Sequence, residues 1–184
     1  PASVPIHENA QLMPINPYGW TKFMVEKILA DCEIAYGMKY VALRYFNAAG
    51  AHHSGEIGED HTPETHLIPL VLDVALGKRD NIKVFGNDYP TSDGTCVRDY
   101  IHVSDLAHAH LLALEKLFNQ SESMIFNLGN GDGTSVSEIL DSCRRVTGHD
   151  IPSVICPRRA GDPAVLVADS SKASRVLGWQ PKHP

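Results

Sequence analysis

The sequence predicts an α/β protein. Segments with helical periodicity alternate along the chain with short segments rich in β-branched and aromatic residues, which is the pattern of the α/β class. Gly37 and Gly77 directly follow two helical segments, as expected for residues that end a helix in the left-handed conformation. Turns containing glycine and aspartate separate several of the other segments.

Local signals define the first three elements. Asn16 and Pro17 form a start signal for a helix predicted over 18–36. A strand is predicted over 39–46, because β-branched and aromatic residues dominate that segment. A long polar loop follows, and apolar residues at helical spacing then predict a helix over 66–76.

Capping residues define the helices in the second half. Ser104 or Asp105 is expected to cap one helix, and Thr134 or Ser135 another. Glu138 follows Ser135 by three positions, as in a capping box. The remaining predicted elements are strands at 82–85, within 97–103, at 125–128 and at 153–156, and helices ending at 118, at 146 and at 177.

Composition narrows the functional class. Among 184 residues, 22 Asp and Glu stand against 16 Lys and Arg, without a basic run, so nucleic acid is not an expected partner. The four cysteines form no C-x-x-C pair, which indicates reduced thiols in a cytoplasmic protein. No apolar run is long enough for a membrane span. The polar start at Pro1 and the turn-like end at Pro184 indicate a fragment.

Tyr18 and Lys22 form a candidate acid/base pair. Their spacing of four residues puts both side chains on one face of the predicted helix. A phenol is a poor base at neutral pH, and a fixed cation nearby favours the phenolate form. The pair indicates proton exchange with an alcohol, but the same spacing also occurs in helices as a rim tyrosine and a solvated lysine.

The polar loop between the first two helices is rich in potential ligands. No zinc-site spacing is present, and adjacent histidines do not easily face one ion. We therefore expect no metal, and a solvated loop or a substrate lid is the preferred interpretation. The residues concerned are His52, His53, Glu56, Glu59, Asp60, His61 and His66.

The glycines at 129, 131 and 133 do not form a dinucleotide-binding fingerprint. They follow a predicted strand and precede a helix, but Gly133 comes two positions after Gly131, where the fingerprint requires three. A tight strand-to-helix turn is the better interpretation.

Three arginines are candidate phosphate ligands. Arg98, Arg158 and Arg159 lie in turn-rich or weakly charged stretches, and the planar guanidinium suits bidentate contact with phosphate oxygens. The alternative is a set of surface ion pairs, such as Arg98 with Asp99 or Arg159 with Asp162. Local sequence leaves both interpretations open.

Four blocks of sequence resemble the UDP-glucose 4-epimerases, a branch of the extended short-chain dehydrogenase/reductase superfamily. They occur in the family's order over nearly the whole chain. The blocks are NPYGWTK at 16–22, LRYFNAAG at 43–50, FGNDYP at 85–90 with DGTCVRDYIH at 93–102, and PRRAGD at 157–162.

The resemblance implies a fold and a division into domains. Residues 1–50 would be the last part of a Rossmann-type NAD-binding domain, with the end of its doubly wound sheet. Residues 51–184 would mainly form a smaller α/β domain that binds the UDP-sugar, with Val97–Leu117 returning to the Rossmann part. The glycine-rich NAD loop and the catalytic Ser/Thr would precede this chain. The parent enzyme would be a cytoplasmic homodimer joined partly through the helix at 18–36.

The resemblance also implies residue roles. Tyr18 would transfer the proton, Lys22 would hold the nicotinamide ribose and favour the phenolate, and Tyr45 would lie near the nicotinamide of NAD. The implied substrate-binding residues are Phe46, Asn47, His66, Leu67, Val84, Phe85, Gly86, Arg98, Arg159, Asp162 and Leu166.

Several of these roles are more specific. Arg98 and Arg159 would bind the diphosphate and Asp162 a ribose hydroxyl. His66 stands where many members have asparagine. Leu166 would line the sugar pocket, where tyrosine excludes N-acetylated sugars in some members, so UDP-N-acetylglucosamine is a possible second substrate.

The implied reaction interconverts UDP-galactose and UDP-glucose by transient oxidation at C4 with bound NAD. Tyr18 would take the proton of the sugar 4-hydroxyl. A first alternative is another extended reductase, such as a UDP-N-acetylglucosamine 4-epimerase or a dehydratase, although the block at 44–50 departs from the dehydratase pattern. A second is a non-catalytic substrate-binding fragment, since half of the implied cofactor site is absent.

Overall fold

A computed structural model describes residues 3–183 and has the predicted alternation of helices and strands. Pro1 and Pro184 lie outside the described residues. Over the described range the elements are α1 Pro17–Tyr36, β1 Val41–Tyr45, β2 Asn47–Ala49, α2 Leu67–Ala75, β3 Ile82–Phe85, β4 Val97–Arg98, β5 Tyr100–His102, α3 Val103–Gln120, β6 Met124–Leu128, β7 Thr134–Ser135, α4 Val136–Thr147, β8 Ser153–Cys156, β9 Val165–Leu166 and α5 Ser171–Leu177.

Most strand pairs are parallel, as helical crossovers require. β1 pairs with β6, β2 with β5, and β3 with β8, each in parallel. β4 lies between β7, which is antiparallel to it, and β9, which is parallel. Because parallel partners end at the same edge, Tyr45 at the end of β1 faces Leu128 at the end of β6.

One hydrophobic cluster packs α3 and α5 against β6. Phe126 of β6, Ile101 of β5 and Trp179 after α5 are fully buried in it. The Trp179 indole N–H donates to the backbone carbonyl of Asp105 at 2.9 Å, so the one polar atom of this large side chain is satisfied where water is excluded. The cluster thus ties the end of the described chain to α3.

A second hydrophobic cluster packs α2 and α4 against β3. Val71, Ile82, Val84, Leu140 and Ile151 are buried in it. α2 has a mostly apolar sequence, LIPLVLDVA, whose Val71 and Val74 face the cluster. The strand that carries the candidate substrate residue Phe85 is therefore held by buried apolar contacts.

The caps show where local signals hold and where tertiary contacts replace them. The side chain of Asn16 accepts the Gly19 N–H, and Ser135 with Glu138 forms the full capping box of α4, both as predicted. The prediction of Ser104 or Asp105 as the cap of α3 is wrong, because His102 accepts the Ser104 N–H at 3.1 Å instead. The Asp105 carboxylate is directed to the end of the described chain.

Buried Asp99 connects three segments that are remote in sequence. Its carboxylate accepts the backbone N–H groups of Asn130, Gly131 and Ala168 at 2.7, 3.1 and 3.0 Å. Burial raises the pKa of this carboxyl, and the hydrogen bonds from Ala168, Asn130 and Gly131 only partly oppose that rise. The glycine turn after β6 is therefore a structural site that packs on Asp99, as the sequence interpretation favoured.

Within the described residues, no helix combines the length and apolar character needed to cross a membrane.

Candidate functional site

The candidate substrate cleft has a volume of about 640 Å³ and lies between β2, α2, β3 and β4. All three residues of β2, and Ile82, Lys83 and Phe85 of β3, line it. Both polar and apolar side chains line it. Six predicted substrate residues are among them: Asn47, His66, Leu67, Phe85, Arg98 and Arg159.

Arg98 and Arg159 reach the cleft from different segments and share one carboxylate. Nε of Arg159 donates to Oδ2 of Asp162 at 2.8 Å, and Nη2 of Arg98 lies 3.7 Å from Oδ1 of the same residue. Arg98 is further fixed by hydrogen bonds from Nη1 to the carbonyls of Val97 and Pro163 at 2.8 and 2.9 Å. Two guanidinium groups held side by side form a positively charged site suited to a diphosphate.

Of the two surface ion pairs predicted for these arginines, one is present and the other is not. The predicted pair of Arg159 with Asp162 is present. The pair of Arg98 with Asp99 is not formed, because the Asp99 carboxylate is buried among backbone N–H groups. Arg158, a phosphate candidate on local sequence alone, pairs with Asp88 at 2.7 Å outside the residues that line the cleft.

Phe85 provides an apolar surface beside these charges. The Arg159 guanidinium carbon lies 4.9 Å from the centre of the Phe85 ring, a distance typical of a cation–π contact. Asn47 also lines the cleft. Its backbone N–H donates to the Asp99 carbonyl at 2.9 Å, and its strand β2 pairs with β5. The cleft thus joins an aromatic face, an amide and two cations.

The other predicted substrate residues do not line this cleft. Val84 is 3% exposed and belongs to the second hydrophobic cluster. Gly86 is buried with φ +91, and a Cβ there would lie 2.6 Å from the Tyr89 ring, so glycine is needed for backbone reasons. Leu166 is half-buried in β9, in register with Arg98. Phe46 is half-buried, and its backbone N–H donates to the Leu128 carbonyl at 3.3 Å.

Tyr18 and Lys22 lie on one exposed face at the start of α1, as their spacing predicted. Lys22 Nζ is 5.2 Å from the centre of the Tyr18 ring, and Tyr18 is 71% exposed. Among residues 3–183, no carboxylate lies within ion-pair distance of Lys22. Tyr45 is exposed at the carboxyl end of β1. The phenol, the ammonium and the second aromatic ring are therefore all accessible from solvent.

The histidine-rich loop divides into two groups. The rings of His52 and His53 lie 4.1 Å apart and contact one another. His61 and His66 instead meet Glu59 and Glu64, and the four ligand atoms all lie within 4.8 Å of one another. The sequence interpretation named Glu59, His61 and His66 among the potential ligands of this loop. It missed Glu64, because linear spacing gives no sign of this grouping.

Glu64 is held in position by local hydrogen bonds. Its Oε1 accepts the backbone N–H groups of Thr65 and His66 at 2.6 and 2.7 Å. The backbone hydrogen bond from His66 is the main cause that lowers the pKa of this carboxyl, while burial opposes it.

A family model and the sequences of known proteins match this chain and point to the same family. Residues 1–129 match the model of the NAD dependent epimerase/dehydratase family. The UDP-glucose 4-epimerase of Halalkalibacterium halodurans is 59% identical over 184 residues, which is 100% of this chain and 55% of that relative. The chain belongs to the NAD dependent epimerase/dehydratase family.

Solved structures have the same fold. UDP-glucose 4-epimerase from Brucella ovis in complex with NAD has a TM-score of 0.94 and 52% identity, and the match covers 98% of this chain and 56% of that one. UDP-glucose 4-epimerase from Bifidobacterium longum in complex with NAD⁺ and UDP has a TM-score of 0.93 and 43% identity, covering 99% of this chain and 55% of that one. These matches confirm the predicted resemblance and the fold class, part of an extended short-chain dehydrogenase/reductase.

The chain spans about half the length of the curated relatives it matches, since it covers 55% of the first of them.

Proposed function

We propose that this chain is the substrate-binding part of an NAD-dependent UDP-glucose 4-epimerase, which interconverts UDP-galactose and UDP-glucose. The observation that carries the proposal is the cleft in which Arg98 and Arg159 stand beside Phe85 and Asn47. The names of the relatives support it, because those proteins are called UDP-glucose 4-epimerases and one was solved with NAD⁺ and UDP.

The cleft would bind the nucleotide part of the substrate firmly. Arg98 and Arg159 would hold the diphosphate with charge-assisted hydrogen bonds, and Phe85 would contact the uracil. Asp162 would exchange part of its contact with the arginines for a ribose hydroxyl. Firm binding at this end leaves the sugar free to present either face, which an epimerase requires.

Tyr18 would exchange the proton of the sugar 4-hydroxyl. NAD, when bound, supplies reversible hydride transfer at C4. Lys22 would stabilise the phenolate charge of Tyr18 and hold the cofactor ribose, and Tyr45 would pack near the nicotinamide. The fit of these three side chains to NAD rests on their exposure and on the absence of a carboxylate partner for Lys22 in the described part of the chain.

The two hydrophobic clusters support a division into domains. We infer that the cluster around Phe126 belongs to a Rossmann-type part and the cluster around Val84 to the UDP-sugar part. The sequence-based division assigns residues 1–50 and Val97–Leu117 to the Rossmann-type part and most of 51–184 to the other. Phe126, Leu128, Ala173 and Trp179 of the first cluster lie outside the two ranges given to the Rossmann-type part, so the inferred Rossmann-type part extends further along the chain than that division.

A hybrid enzyme tests the reaction. In it, the 184-residue chain is joined to the parts of the Halalkalibacterium halodurans relative that it does not match. We expect the hybrid to convert UDP-galactose into UDP-glucose and Tyr18→Phe to lose at least about 100-fold in kcat, the scale of acid/base catalysis. A folded hybrid that binds NAD and UDP but shows no conversion would contradict the proposal.

The isolated chain is expected to show no turnover, because the resemblance puts the glycine-rich NAD loop outside it. Incubation of the 184-residue chain with NAD and UDP-galactose checks this. Formation of UDP-glucose above the level of a Tyr18→Phe chain would overturn it.

Leu166 favours a second substrate. It pairs in register with Arg98, so it lies next to the proposed diphosphate site, and leucine leaves more room than tyrosine. We expect the hybrid to accept UDP-N-acetylglucosamine and Leu166→Tyr to remove that activity selectively. Brisk conversion of UDP-galactose without any turnover of the N-acetylated sugar would exclude this substrate.

Dimerisation through α1 is the proposed assembly of the cytoplasmic parent enzyme, without nucleic-acid or membrane partners. Met24, Val25 and Ile28 of α1 are 56%, 53% and 58% exposed, and such an apolar surface needs a covering partner. Analytical ultracentrifugation of the hybrid should show a dimer that Ile28→Glu weakens. A wild-type hybrid that stays monomeric at micromolar concentration would refute this.

A further inference from the structure

The loop before α2 gathers two imidazoles and two carboxylates at one point. Nδ1 of His66 lies 2.7 Å from Glu59 Oε1 and 2.8 Å from Glu64 Oε1. Nδ1 of His61 lies 3.2 Å from Glu59 Oε1 and 3.8 Å from Glu64 Oε2. Each histidine therefore turns the same ring nitrogen towards the same two carboxylates.

These separations match a four-ligand metal site. Ligand atoms at about 2.1 Å from one zinc ion in a tetrahedron are about 3.4 Å apart. The His-to-Glu distances of 2.7 to 3.8 Å lie on both sides of this value, and the four ligand atoms all lie within 4.8 Å of one another. Adjustments of about 1 to 1.5 Å, within the reach of side-chain rotation, would bring them around one ion.

The charges of the cluster also call for a cation. The carboxylates of Glu59 and Glu64 both contact the same imidazole nitrogens. Two negative charges this close repel each other unless positive charge lies between them. Among the described residues, the ion pairs of Glu59 and Glu64 are with His61 and His66, and no lysine or arginine takes part. A doubly charged ion bound by neutral imidazoles compensates both carboxylates at once.

The surroundings position the ligands in advance. The side chains of Glu59 and Glu64 are only 22% and 14% exposed, and the backbone N–H groups of Thr65 and His66 orient Glu64. Hydrogen bonds of this kind fix ligands in many metal sites. The rings of His61 and His66, with centres 4.9 Å apart, remain open to solvent, which leaves an entry path for an ion.

We propose that Glu59, His61, Glu64 and His66 form a binding site for a divalent transition-metal ion, with Zn²⁺ the best match to two nitrogen and two oxygen ligands. The site borders the substrate cleft, because Glu59 and His66 also line it. A bound ion would connect the loop to the start of α2 beside the cleft. The inference is independent of the proposed epimerase reaction.

Cobalt titration tests the site. Co²⁺ substitutes for Zn²⁺ and gives visible absorption whose intensity reports four-coordinate geometry. The metal-free 184-residue chain and the hybrid enzyme would each be titrated with Co²⁺, and the bound Co²⁺ displaced with Zn²⁺. We expect one ion per chain, and His61→Ala to raise the dissociation constant by about tenfold or more, as loss of a ligand should.

His53→Ala is the matched control, because it removes a histidine of the same loop whose ring contacts His52 instead of the cluster. It should change the dissociation constant by less than about twofold. Glu64→Gln serves as a second ligand variant if circular dichroism shows that His61→Ala is unfolded. Absence of one-equivalent binding, or an equal loss in His53→Ala and His61→Ala, would overturn the proposal.

Discussion

Asp162 accepts a hydrogen bond from Nε of Arg159 at 2.8 Å while its other oxygen faces Arg98 at 3.7 Å. The two arginines come from β4 and from the loop after β8, more than fifty positions apart. One carboxylate between two guanidinium groups reduces their mutual repulsion and fixes the distance between them. The arrangement prepares a site for an anion with two charged groups, which is the chemistry of a diphosphate.

Arg159→Ala should weaken UDP binding by the hybrid enzyme by about tenfold or more, since charge-assisted hydrogen bonds are lost. Isothermal titration calorimetry with UDP measures this directly. Arg158→Ala is the matched control because Arg158 pairs with Asp88 outside the cleft, and we expect a change below about twofold. Equal losses in both variants would contradict the assignment of Arg159 to the phosphate site.

Asp105→Asn should lower the free energy of unfolding at neutral pH and make that free energy depend less on pH below neutrality. Burial disfavours the charged form of Asp105, but hydrogen bonds from His183 and Lys182 outweigh burial and hold the pKa of this carboxyl below its ordinary value of 3.8. Such a group stabilises the fold above the unfolded-state pKa, and that contribution is lost as pH falls through the lower folded-state pKa.

The expected loss at pH 7 is about 1–3 kcal/mol, the cost of disrupting hydrogen bonds to a buried acceptor. Urea denaturation between pH 7 and pH 3 measures the free energy of unfolding of both proteins, and their difference should shrink at the acid end. A difference that stays constant over this range would show that the ionisation of Asp105 is not involved.

Gly129→Ala should destabilise the fold because a Cβ at this position would lie 2.2 Å from Asp99 Oδ2. Relief of that overlap displaces either the Asp99 carboxylate or the turn after β6, at a cost of about 1–3 kcal/mol. Gly58→Ala is a suitable control, since its nearest neighbour would be Ala51 Cβ at 3.6 Å. Thermal and urea unfolding compare the two, and similar stability of both variants would refute the proposed constraint.

Ser135→Ala should cost about 1 kcal/mol or more, because the capping box of α4 is lost. The Ser135 hydroxyl accepts the Glu138 N–H at 3.1 Å and also donates to the Asp93 carboxylate. Ser142→Ala removes a hydroxyl of the same helix whose hydrogen bond with Arg145 is exposed, and should cost less than about 0.5 kcal/mol. Urea unfolding should give Ser135→Ala the lower midpoint of the two variants. A lower midpoint for Ser142→Ala would argue against the capping role of Ser135.

Sequence signals predicted those features that depend on neighbours a few positions away. The caps at Asn16 and Ser135 and the glycine at the end of α1 follow from hydrogen bonds within one turn. The short strands β2, β7 and β9 were not predicted as separate elements, because two or three residues carry little periodicity and their pairing partners are remote. The wrong cap of α3 has a similar cause, since Asp105 binds backbone N–H groups 77 and 78 positions away.

The sequence by itself determined the family, the α/β class and the face shared by Tyr18 and Lys22, because motifs and helical spacing are properties of consecutive residues. Only the tertiary structure decided that Arg98 and Arg159 meet at one carboxylate, that of Asp162, and which loop residues meet around His66. Contacts between distant segments depend on how the strands and loops pack in space. That packing brings Glu64 to His61 and directs Arg158 away from the cleft, although linear spacing distinguishes neither residue from its neighbours.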